Sequence, residues 1–137
     1  MPPFSPHSFA FADRACTSGL YIVGSAGLLR GVAAAGGPLS ERELKSVRRS
    51  VQDNIDIITA SLYRWNRSPA AALPDSDYLA LMHKLNALIE HASFLQESVE
   101  TAASGVTPDS GAIAKAAAIL EDTANELHRD ILKISDG

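Results

Sequence analysis

Cysteine is almost absent from this chain of 137 residues. Cys16 stands alone, which excludes an intrachain disulfide and a thiolate-rich metal site, and suits a reducing, cytoplasmic compartment. Aromatic residues are scarce at 6% while apolar residues reach 46%, so a core must be built from Leu, Ile, Val and Ala. Strand patterning is missing, because no stretch alternates apolar and polar residues over several positions. A membrane-length run is missing too. Residues Ala15 to Leu29 carry no charge before Arg30 ends the run, roughly fifteen residues against the about twenty a bilayer requires, so no stable membrane insertion is expected. No basic residue precedes an apolar run between Met1 and Ala12, so that segment does not read as a secretory signal. The net charge of -4 offers no general basic surface for nucleic acid.

What the chain does have is punctuation. Prolines at 2, 3, 6, 38, 69, 74 and 108 divide it into a tail and four segments of similar length, since proline breaks a helix interior. Ser40 with Glu43 three residues later forms a capping box, and Leu39 with Leu44 flanks it as a hydrophobic staple. Thr107-Pro108-Asp109 reads as a cap, a proline at the first helical position and an acid facing the helix dipole. Gly36-Gly37-Pro38 and Gly105 read as stops. Helices are therefore expected near 8–35, 40–67, 75–104 and 107–135, each roughly 40 Å long. A tail covers 1–7 and one bundle domain covers 8–137.

Apolar periodicity agrees with these boundaries. Helix 2 offers Leu44, Val47, Val51, Ile55, Ile58, Leu62 and Trp65, and helix 4 offers Ile113, Ala116, Leu120, Ala124, Leu127, Ile131 and Ile134. Both alternate steps of three and four, the seam of left-handed helix packing. Helix 3 offers Tyr78, Leu81, Leu85, Leu88, Ala92, Leu95 and Val99. The fold class is all-α, an antiparallel four-helix bundle. The shared pattern of helices 2 and 4 also fits two tandem hairpins, although any two bundle helices share such a pattern.

Helix 1 differs from the rest. Ile22, Ala26, Leu29 and Ala33 form one face, yet Phe9, Leu20, Val23 and Leu28 lie elsewhere around the axis, with glycines at 19, 24, 27 and 31 between them. A helix that is apolar all round is buried on more than one side. Leu20, Val23, Gly24, Gly27, Leu28 and Gly31 are therefore the candidate interaction residues, with a protein partner or a second copy as the occupant.

Catalytic and metal constellations do not emerge. No Glu has a His three residues later, the histidines at 7, 83, 91 and 128 form no His-x-x-x-His pair, and no phosphate-binding glycine loop is present. The expected function is non-enzymatic: an adaptor, chaperone, effector or immunity-type protein with no cofactor and no resident metal. Charge is unevenly spread, with eight Lys or Arg against five Asp or Glu up to Pro69 and four against eleven beyond it, so the two halves can attract. The basic run Arg42, Lys45, Arg48, Arg49 reads as a solvated face supported by pairs such as Arg49–Asp53.

One short run resembles something known. His83-Lys84-Leu85-Asn86-Ala87, followed by Leu88, Ile89, Ala92 and Leu95, resembles the phospho-acceptor helix of histidine-kinase dimerisation and phosphotransfer hairpins. That resemblance implies a passive phosphotransfer role for His83, which should stand opposite the Leu85 stripe and be exposed. The sequence departs from the pattern where an acid should follow the histidine, since Lys84 occupies that position. Leu79 and Phe94 fall on the same side; they read as isolated exposed residues or, with Ala87, as a docking strip.

Overall fold

The computed structural model describes the backbone of residues 6–36, 39–69 and 73–136, and side chains between residues 10 and 135. Four helices account for it: α1 (Pro6–Ala34), α2 (Glu41–Arg67), α3 (Asp75–Ala103) and α4 (Ser110–Asp136). Among the described residues there is no strand. The lengths are 29, 27, 29 and 27 residues, so all four rods can end together at both poles of one bundle. Each helix packs on two neighbours around a ring, α1 on α2, α2 on α3, α3 on α4 and α4 on α1, and among the described residues the backbones of diagonal helices do not approach closely. Cross-links such as Ser25–Ser50, Arg48–Gln96 and Lys84–Asp130 join the first half of one helix to the second half of its neighbour, as helices of opposite direction do. The expected antiparallel four-helix bundle is the observed fold.

Local chemistry sets the helix ends. Ser40 Oγ accepts from Glu43 N at 3.1 Å, which secures one of the orphan donors at the start of α2. Gly36 takes φ 74° and Gly105 φ 85°, a left-handed conformation that residues bearing a Cβ resist. At Gly105 the bonds Gly105 N to Ala102 O and Val106 N to Thr101 O complete a Schellman closure of α3. α1 begins at Pro6, ahead of the expected residue 8, and residues 1–5 of the expected tail lie outside the described residues. α4 begins later than expected. Asp109, not Thr107, is its cap: Asp109 Oδ1 accepts from Gly111 N at 3.0 Å and Ala112 N at 3.3 Å. Pro108 is thereby left in the loop, where it is buried.

The core is the expected seam with small changes of membership. Leu44, Val51, Ile55, Ile58, Leu62 and Trp65 of α2 are buried, and Val47 is half-buried. Ala117 takes the place expected for Ala116 in α4, beside Ile113, Leu120, Ala124, Leu127 and Ile131. α1 contributes Ala12, Ala15, Cys16, Ile22, Ala26, Leu29 and Ala33. Alanines there, with Gly19 also buried, let the backbone of α1 approach its neighbours, and its seams with α4 and α2 are the more extensive pair in the bundle. No helix among the described residues is long and apolar enough to cross a membrane.

Candidate functional site

Burying Ile22, Ala26, Leu29 and Ala33 fixes the rotation of α1, and at 100° per residue the opposite side follows. Leu20 is 51% exposed, Tyr21 61% and Leu28 68%, with Val32 also exposed. Gly24 and Gly31 stand between them, and a Cβ built at either would meet nothing within 4 Å. The result is an uncharged outer face along most of α1.

Arg30 lies off that face, on the flank toward α4, whereas Asp13 and Arg14 stand exposed on the outer side just before Thr17. Arg30 turns toward α4, where its Nε lies 2.8 Å from Glu121 Oε2 and its Nη2 3.5 Å from Oε1. The hydrogen bond and charge of Glu121 hold the guanidinium pKa above its ordinary value. This pair joins the basic first half of the chain to the acidic second half, as the charge distribution suggested. Gly27 lies beneath it, its Cβ position 3.5 Å from Glu121 Oε2.

The six residues singled out from sequence therefore divide. Leu20, Gly24, Leu28 and Gly31 share the outer face. Val23 is half-buried against the core, and Gly27 faces Glu121 on the flank toward α4. Tyr21 and Val32 complete the face and were not anticipated; the spacing Thr17, Tyr21, Gly24, Leu28, Gly31, Ala35, with steps of four and three, was the available signal. Phe9 lies outside the residues whose side chains are described.

Beside this face runs a groove of about 320 Å³ between the end of α1 and the start of α2. Leu28, Val32, Leu39 and Val47 make its apolar walls, and Arg42, Glu43 and Ser46 edge it. Farther along α2 the surface becomes charged, with Arg42, Lys45, Arg49 and Asp53 around a shallow depression. Lys45 pairs with Glu41 at 2.7 Å, and Arg48 reaches across to α3, donating to Gln96 Oε1 at 2.6 Å. The expected Arg49–Asp53 pair is not among the ion pairs of the described residues.

Elsewhere the candidate groups stay apart. His83 is exposed, as its helical position required. Its neighbour Lys84 bridges to α4, with Nζ 3.1 Å from Asp130 Oδ2 and 3.5 Å from Glu126 Oε2, and those contacts hold its pKa above the ordinary value. His91 is exposed on α3, and His128 is half-buried where α4 meets Gly19. No group of three His, Cys, Asp or Glu side chains among the described residues is arranged to hold a metal ion. Leu79 is exposed at 65%, but Ala87 and Phe94 are half-buried, so no continuous exposed strip joins the three; Phe94 lines a depression with Pro108 and Ile113.

No family model, no curated protein and no solved structure matches this chain.

Proposed function

We propose that this protein is a non-enzymatic interaction bundle, of the adaptor, chaperone, effector or immunity type, and that the outer face of α1 is its binding surface. The observation that carries this reading is the exposure of Leu20, Tyr21, Leu28 and Val32 on one side of one helix, with Gly24 and Gly31 open between them. Scattered exposed apolar residues are ordinary; a contiguous strip without charge is what protein partners cover. Open glycines favour a helix as the occupant, because they allow its backbone close. The inner stripe of α1 already closes the core with the other three helices, so the fold has no use for this second apolar side.

A photo-crosslinking amino acid placed at Leu28, with Tyr63 and Leu79 as exposed controls on other helices, tests the reading in the cell of origin. Covalent adducts to a protein should form from position 28 and far less from 63 and 79. Equal labelling at all three, or none at 28, would falsify it.

A second reading is favoured by one observation, the exposure of His83. A phosphotransfer module would place acid-labile phosphate on that imidazole after incubation with a phosphorylated receiver domain. Equal labelling of wild type and His83→Ala removes this reading.

A further inference from the structure

The outer face of α1 alternates large with small. Thr17, Tyr21, Gly24, Leu28, Gly31 and Ala35 succeed one another at the spacing of a helix-pairing seam. Tyr21 and Leu28 project, while Gly24 and Gly31 leave open space. Two such faces packed in parallel would set Tyr21 on Tyr21 and Gly24 on Gly24, crowding beside void. Reversed about a two-fold axis level with Ala26, they interlock. Leu28 then opposes the partner's Gly24, Tyr21 opposes the partner's Gly31, and Thr17 opposes the partner's Ala35. The reversed sense also sets the helix dipoles head to tail.

One feature off the seam agrees with the same axis. The groove walled by Leu28, Val32, Leu39 and Val47 lies level with Gly31, and so receives the partner's Tyr21. The ring fits among the apolar walls, with the phenol hydroxyl toward Arg42, Glu43 and Ser46 at the edge.

We propose that the protein forms a two-fold symmetric dimer in which α1 packs antiparallel on α1 of a second copy, each Tyr21 seated in the other's groove between α1 and α2. This rests on the reading of the outer α1 face as the binding surface, and names its occupant.

Disulfide trapping in the full chain tests the arrangement. Thr17→Cys and Ala35→Cys proteins are mixed and oxidised, Cys16 remaining because it is buried, and linked peptides are identified by mass spectrometry. The 17–35 link between the two variants should dominate. Dominant 17–17 and 35–35 links, or no link in a chain that sediments as a dimer, overturn the proposal. Sedimentation equilibrium supplies the second arm. Tyr21→Ala should raise the dimer dissociation constant at least about tenfold. A wild-type chain that stays monomeric at every concentration overturns the dimer, as does a dimer indifferent to Tyr21→Ala. In either case crosslinking from position 28 to a different protein would leave the binding-surface reading standing.

Discussion

α1 and α2 lie side by side, differ in length by two residues, and bury comparable inner stripes, yet their outer sides have nothing in common. α2 turns Arg42, Lys45, Arg49, Asp53 and Asp56 to solvent. α1 turns Leu20, Tyr21, Gly24, Leu28 and Gly31 outward, with Asp13 and Arg14 exposed only nearer its start and Arg30 paired with Glu121 on the α4 flank. Inner stripes are what the bundle needs to fold, and both helices satisfy that need. The outer side of α2 is the ordinary solution for a helix facing water. That of α1 is not, and the difference is what a second partner would explain.

The comparison can be broken first on α1 itself, inner side against outer. Ile22→Ala should cost about 2–5 kcal/mol in a urea titration, because Ile22 is fully buried and its loss leaves a cavity. Leu28→Ala, measured where the chain is monomeric, should stay within about 0.5 kcal/mol of wild type. Similar costs at both positions would mean that Leu28 belongs to the fold.

Glycines sharpen the contrast next. Gly24 is helical and has open space, so Gly24→Ala should stabilise the monomer by about 1 kcal/mol through helix propensity while weakening the dimer. Gly105 sits at φ 85°, so Gly105→Ala should destabilise by about 1 kcal/mol with association unchanged. Thermal melts with a concentration series separate the two effects. A Gly24→Ala chain that associates as tightly as wild type would show that no partner helix packs closely there.

The smallest effect concerns a charge that serves the fold alone. Lys84 is held protonated by Asp130 and Glu126, with its folded pKa raised. Its contribution is therefore full below the unfolded lysine value of about 10.4 and is lost as pH rises through the higher folded value. Lys84→Met should cost a few tenths of a kcal/mol at neutral pH, discounted for its partial exposure. The gap in melting temperature from wild type should close only in strongly alkaline buffer. A gap already closed at neutral pH would mean that the pairs contribute nothing.

Much of this fold was legible because burial repeats with the helix. Leu44, Val51, Ile58 and Leu62 mark their own face, and Gly36 and Gly105 mark their own ends. Thr107 and Asp109 compete for one cap in adjacent turns, and spacing alone does not decide between them; the bonds to Gly111 and Ala112 do. Phe94 was read from its own helix as exposed, but it is half-buried and shares a depression with Pro108 and Ile113, which belong to the next loop and helix and are near only in space. The surplus apolar character of α1 was plain in sequence. Its division was not, since only the packing of α1 on α4 shows that Gly27 and Arg30 lie on a flank that Glu121 occupies. For the same reason the groove beside Leu28 needs α2 in place before it exists.

Sedimentation equilibrium of wild type beside Leu28→Asp, with helix content followed by circular dichroism, reaches the heart of the matter. Wild-type mass should climb from one chain to two with concentration, while Leu28→Asp stays at one chain with its helices intact. Identical behaviour of the two proteins across that range would contradict an associating outer face on α1.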